Sequence, residues 1–220
     1  MNRLSWYENT EQDRDFVIVG AGDGTRKYYQ KIRHFIKDER LVTIGINKMT
    51  DFFIPDYHLW TNNQRLHDQR NCIRSQSKLM LGIGIVESLR AAVGGDYIQV
   101  NYKSEPGVPY RYIGGILYGH FRIAGVLAIA IAKVLGAKRI YAVGFDGFCL
   151  HTRKDLINGE GNQHCYGNGF TDDATYEQCI VKDKLTREGM QLLRVAGVNF
   201  NIITPTVHSK FFKDVMGILE

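Results

Sequence analysis

Along the chain, short apolar runs alternate with longer stretches in which apolar residues recur every three or four positions. The runs at residues 15–20 (DFVIVG), 41–46 (LVTIGI), 57–61 (YHLWT), 78–83 (KLMLGI), 97–100, 139–145 (RIYAVGF) and 200–204 predict strands. Helical spacing predicts helices over 25–37, where Tyr28, Ile32, Phe35 and Ile36 share a face, and over 120–135, 173–196 and 209–219. Gly136 stands where a helix-ending glycine belongs, and Pro205 stops the last strand. Strands that alternate with helices and read as continuous apolar runs are those of a parallel sheet covered on both faces. The expected fold class is α/β, a single Rossmann-like domain over residues 1–220 with a mostly parallel sheet flanked by helices. In such a sheet ligands sit where strands end and helices begin.

The irregular stretch is 148–171, FCLHTRKDLINGEGNQHCYGNGFT, which has no helical period and is crowded with Gly and Asn. A loop of this length in a compact domain serves as a lid or binding loop, or is a plain surface excursion.

Composition narrows the function. With 28 Lys+Arg against 23 Asp+Glu, the net charge is +5, and no block of five like charges occurs. That argues against a nucleic-acid-binding tail and suits a phosphate-bearing ligand. The apolar stretch 123–135 contains Lys133 and is too short to span a bilayer, and the N-terminal MNRLSWYENTEQDRD has no signal core, so a cytoplasmic protein without a transmembrane segment is expected. Cys72, Cys149, Cys165 and Cys179 show no metal-ligand spacing and read as free thiols.

The candidate chemistry begins at FVIVGAGDGT, residues 16–25. Glycines at 20, 22 and 24 allow a tight turn into a helix whose first N–H groups can face an anion. The spacing is not G-x-G-x-x-G, and the second strand, ending LVTIGINKM, supplies no carboxylate for a ribose, which disfavours NAD, FAD and S-adenosylmethionine. No Walker-type G-x-x-x-x-G-K-[ST] occurs. Asn47 follows the second strand, and Asn62 and Asn63 the third. Amides can read a ribose, a base edge or a phosphate, or cap a turn.

Three segments together resemble the bacterial family 42 sialyltransferases and, beside them, the motility-associated factors and hydroxymethylpterin diphosphokinases. They are FVIVGAGDGT, the pair IGINKM and LWTNN, and AGVLAIAIAKVLGAKRIYAVGFDGF at 124–148. In the third, Leu135, Gly136, Lys138, Ile140, Tyr141, Gly144 and Asp146 match the family pattern. The resemblance implies a nucleotide pocket formed by Gly20, Gly22, Asp23, Asn47, Asn62, Ala124, Gly125, Gly144 and Asp146. It implies His164 as a displaced catalytic base and Tyr166 as a phenol that stabilises the leaving phosphate. The chain departs from the family at Ile123-Ala124, where a Thr-Ser pair is expected, and at Asp23.

The implied activity is a metal-independent, inverting glycosyltransferase of surface-glycan synthesis. It would use a nucleotide-activated, CMP-linked sugar as co-substrate, with no other cofactor and a glycan or protein as acceptor. A pterin-type diphosphokinase and a non-catalytic nucleotide- or glycan-binding module are the alternatives. A homo-oligomer is left open.

Other residues have structural readings. His58, His67 and His151 have no metal spacing, and Asp172-Asp173 cap the helix that follows. Arg65, Arg70 and Arg74 form a basic face, solvated or phosphate-facing, and Tyr102, Tyr110, Tyr112 and Tyr118 either stack on a ligand or pack between layers.

Overall fold

The computed structural model describes residues 2–49, 51–150, 164–165 and 175–219. Its strands are β1 (Asn2–Arg3), β2 (Asp15–Val19), β3 (Val42–Ile46), β4 (Tyr57–Trp60), β5 (Lys78–Gly82), β6 (Tyr97–Ser104), β7 (Arg111–Ile113), β8 (Ile116–Gly119), β9 (Arg139–Val143) and β10 (Phe200–Ile202). The helices are α1 (Asp23–Lys27), α2 (Tyr29–Asp38), α3 (Asn63–Gln69), α4 (Glu87–Val93), α5 (Ala124–Leu135) and α6 (Tyr176–Val195).

The strands form one sheet in the order β10-β9-β2-β3-β4-β5-β6-β8-β7, with β1 also on β6. Every pairing is parallel except the β7–β8 hairpin. The fold is therefore the expected α/β class. β3 and β4 are buried at every residue, as strands covered on both faces must be. β6 alternates buried and partly exposed residues in its first half, as a strand open on one side does.

One face packs Phe16, Ile18, Ile44 and Leu59 against α5 and against Met190 and Leu193 of α6. The other sets Val17, Val19 and Val143 against Ile32 of α2. α5 is buried nearly all round, and each fully buried aliphatic side chain such as Ile129 or Ile131 contributes on the order of 2 kcal/mol. At the far end Trp60, Leu79 and Leu81 pack with Leu66 of α3.

The structure corrects three expectations and adds a hairpin. The 25–37 helix begins at Asp23 and breaks at Tyr28, whose φ of −107° and ψ of 20° leave the helical region. The 120–135 helix starts only at Ala124, because the N–H of Phe121 is tied to Ser104 Oγ. The 209–219 helix is a 3-10 turn at Ser209–Phe211. Phe212 then pairs with Ile202, and Phe211 stacks on Phe200 at 5.5 Å, so the segment lies along the sheet edge. The tyrosine-rich stretch is the end of β6 plus a hairpin turning at Gly114-Gly115, both with positive φ.

Strand order reverses between β9 and β2. β2 leads through α1 and α2 to β3 on one side, and β9 leads through α6 to β10 on the other. The loops leaving β2 and β9 diverge there, opening a crevice at the carboxyl edge.

Candidate functional site

A cavity of about 350 Å³ occupies that crevice. Its walls come from the loops after β2 (Gly20, Gly22), β3 (Asn47), β4 (Asn62) and β9 (Gly144, Asp146), and from the start of α5 (Ala124, Gly125). Eight of the sequence-predicted nucleotide residues thus line one cavity, and His164 joins them. Asp23 does not: it is buried beside Arg26, with Oδ1 accepting from the guanidinium Nε at 2.9 Å. Tyr166 and most of the expected 148–171 lid lie outside the described residues.

The glycine loop is closed against its own chain. A Cβ on Gly22 would lie 2.4 Å from the carbonyl oxygen of Gly144 and 2.8 Å from Asp146 Oδ2, and one on Gly24 would lie 2.7 Å from Asp146 Oδ1. The glycines at 22 and 24 are thus required by the approach of the β9 loop. Asp146, 4% exposed, accepts the N–H of Gly24 through Oδ2 at 2.7 Å. A carboxylate of the chain itself thus occupies the positive end of α1, the position a phosphate takes in other glycine-loop folds. Burial raises the Asp146 pKa to about 7, and the bond from Gly24 opposes that shift while the charge of Asp23 adds to it. Its Oδ1 has no hydrogen-bond partner among the described residues.

The second wall is more open. Asn47 holds a φ of 54°, which asparagine tolerates better than most residues. Its N–H donates to the carbonyl of Leu59 at 3.2 Å, and its own carbonyl accepts from His58 Nε2 at 2.7 Å. His58 is fully buried, and desolvation lowers its pKa to about 4, so it serves as a neutral strut. Asn47 Oδ1 is buried without a hydrogen-bond partner among the described residues. Asn62 Oδ1 accepts the N–H of Arg65, capping α3.

α5 begins at the cavity with Ile123 as its N-cap, whose side chain accepts nothing from the first turn. Arg122 precedes it and also lines the cavity. A Cβ on Gly125 would meet the Phe145 ring at 2.6 Å, which explains the small residue at this turn. Cys165 seats the neighbouring His164: its N–H donates to the carbonyl of Ala21 at 2.8 Å. The Cys165 thiol is pushed up to about 12, first by burial and then by the charge of Asp146.

Sequence reasoning missed Arg122, Lys182, Asp183, Thr186 and His208, all of which line the cavity. It assigned Arg65 to a helix face, and Arg65 is a cavity residue as well. Arg122 comes from the turn ahead of α5 and the other missed side chains from α6 and the turn after β10, and no local motif marks them. All four cysteines are free thiols. Among the described residues no group of three or more His, Cys, Asp or Glu is placed to hold a metal ion, and no helix is long and apolar enough to cross a membrane.

No family model and no curated protein matches the sequence. Among solved structures the chain is similar to the sialyltransferase CstII from Campylobacter jejuni in complex with the substrate analogue cytidine-5'-monophosphate. The TM-score is 0.47 at 12% identity, covering 91% of this chain and 84% of that one. It is also similar to a tyrosine-to-phenylalanine variant of the sialyltransferase Cst-II in complex with CMP, with a TM-score of 0.43 at 13% identity, covering 90% and 85% of the two chains.

Proposed function

We propose that the cavity binds a nucleotide-activated sugar, CMP-linked, and that the chain transfers the sugar to an acceptor hydroxyl in surface-glycan synthesis. The observation that carries this reading is the pairing of two polar features in one crevice. Asn47 offers a buried Oδ1 with no hydrogen-bond partner among the described residues, and the start of α5, which its N-cap Ile123 does not cap, stands with Arg122 at the same cavity. An amide suits the donor groups of a ribose or a base, and helix N–H groups beside a guanidinium suit a phosphate. The family resemblance of 124–148 implies this helix and the VGFDG loop as nucleotide contacts, which supports the reading. Because Asp146 occupies the α1 terminus, the phosphate belongs on α5 and the glycine loop serves as a wall.

The reaction is a direct displacement with inversion. The acceptor oxygen attacks the anomeric carbon, the bond to the phosphate breaks, and CMP leaves with the electron pair while a base takes the acceptor proton. His164 is one imidazole at the wall able to serve.

The test is thermal shift and calorimetry with CMP, UMP, ATP and S-adenosylmethionine. Saturating CMP at 100 times its Kd should stabilise the fold by about 2.7 kcal/mol. No stabilisation by any cytidine nucleotide sinks the reading. Stabilisation by ATP alone favours the diphosphokinase, and tight CMP binding without turnover of a CMP-sugar favours the binding module.

A further inference from the structure

Asp183 of α6 and His208 after β10 meet beneath the chain that leaves β9, and both line the cavity. They are 3% and 2% exposed, with His208 Nε2 3.8 Å from Asp183 Oδ1. Asp183 is fixed by the backbone: Oδ1 accepts the N–H of Phe148 at 2.8 Å and Oδ2 that of Cys149 at 2.9 Å. Gly147, with φ of 88°, lets the carboxylate approach, since a Cβ there would come within 3.2 Å of Asp183 Oδ1.

The backbone of His208 is pinned as firmly. Its N–H donates to Thr206 Oγ1 at 3.1 Å, and that hydroxyl donates to the carbonyl of Phe145 at 2.6 Å. The N–H of Val207 donates to the carbonyl of Asp146 at 2.9 Å. The imidazole is therefore held to the same β9 loop that forms the cavity wall.

A carboxylate on the Nε2 side favours the tautomer with its proton on Nε2 and leaves the lone pair on Nδ1. Nδ1 is buried with no hydrogen-bond partner among the described residues. Such a group needs a partner, whether a bound water, a ligand or a reacting hydroxyl. A base followed by an orienting carboxylate is the arrangement by which proteins activate a hydroxyl. The 3.8 Å separation is longer than a hydrogen bond, and catalytic hydrogen bonds tighten when substrate binds.

Resting on the glycosyl-transfer reading of the cavity, we infer that His208 is the general base of the reaction and Asp183 its positioning residue. The proton of the acceptor hydroxyl passes to His208 Nδ1 as the oxygen bonds to the anomeric carbon. The bond to the phosphate breaks, its electron pair leaves with CMP, and the imidazolium, stabilised by Asp183, returns its proton to water after release. Burial lowers the His208 pKa against the pull of Asp183, and Arg187 on α6 lowers it further, so the ring is neutral and able to accept a proton at neutral pH. Arg65, Arg122, Asp146, His164 and Lys182 are the other charged or titratable side chains that line this cavity.

The test compares the wild-type chain with His208→Gln, His164→Gln and Asp183→Asn. CMP affinity is measured by calorimetry, turnover of CMP-N-acetylneuraminate with water as acceptor is followed, and the imidazole tautomers are read by nitrogen-15 NMR. His208→Gln should lose about 10²-fold in kcat with CMP affinity within twofold of wild type. His164→Gln should lose far less. Asp183→Asn should displace the acid limb of the pH–rate profile, which a merely structural anchor would not do. The His208 ring should carry its proton on Nε2, and its Nδ1 resonance should move when CMP binds. The base assignment alone is overturned if CMP binds and His208→Gln turns over at the wild-type rate, or if the ring is protonated on Nδ1. If no cytidine nucleotide binds, the transferase reading falls and this inference with it.

Discussion

Helices α1 and α5 both begin at the cavity, and their first turns are treated in opposite ways. The first turn of α1 is satisfied from within, because Asp146 reaches across from the β9 loop to the N–H of Gly24. The first turn of α5 has no side-chain cap and an arginine just ahead of it. The glycine-rich turn, which catches the eye in the sequence, is shaped by the approach of the chain's own carbonyl and carboxylate. The plainer turn at Ala124-Gly125 keeps its capacity for an anion. A glycine loop therefore locates the carboxyl edge of a sheet without telling which helix end receives the ligand.

The comparison breaks most severely at the β9 loop. Gly144 has a φ of 67°, and a Cβ there would lie 2.2 Å from Thr25 Oγ1 and 2.6 Å from the carbonyl oxygen of Gly20. Gly144→Ala is expected to cost about 3 kcal/mol or more, read as a lowered urea midpoint. Wild-type stability would show that the two loops part easily and that the closed α1 wall is not a packing requirement.

Next in size is the pH dependence of Asp146. Its folded pKa of about 7 lies above the unfolded carboxylate value, so its stability contribution is complete below about pH 4 and is lost as pH rises through 7. Stability should fall on the order of 3 kcal/mol across that window, other groups held equal. Asp146→Asn, which keeps an acceptor for Gly24, should flatten the curve. An unchanged slope would place the charge elsewhere.

The α5 end is tested by Arg122→Ala and by Ile123→Asp, which supplies the missing cap. On the proposed reading each should weaken CMP by about tenfold, near 1.4 kcal/mol, the first by removing a cation and the second by placing a carboxylate at the proposed phosphate position. If CMP affinity instead drops with substitutions at the α1 turn alone, the assignment of the two ends is reversed. The smallest effect is expected at Asn62, whose side chain is already engaged in capping α3. Asn62→Ala should cost about 1 kcal/mol in thermal unfolding, with only a slight change in CMP affinity.

Much of the sheet was legible because β2, β3, β4 and β5 are buried beyond their first residue, and burial on both faces writes itself as continuous apolar sequence. The hairpin at Gly114-Gly115 carried a turn signal that the surrounding tyrosines obscured. The segment after Ser209 has a helical spacing of apolar residues, yet pairing of Phe212 with Ile202 and stacking of Phe211 on Phe200 hold it along the sheet edge. Asn47 and Asn62 could be picked out because they follow strands directly. Asp183 and His208 could not, because nothing near either residue marks it and only the crossover through α6 to β10 brings them together.

The sequence by itself determined the alternation of elements, the buried helix α5 with its closing glycine, and the carboxyl edge on which polar loop residues collect. These follow from local periodicity, which reports what each residue's own segment must bury. Tertiary structure alone decided that Asp146 fills the first turn of α1, that Asp23 turns to Arg26, and that Asp183 meets His208 at the cavity. Each of these is a pairing between parts of the chain whose separation along the sequence says nothing of their distance, or a choice among partners that packing settles.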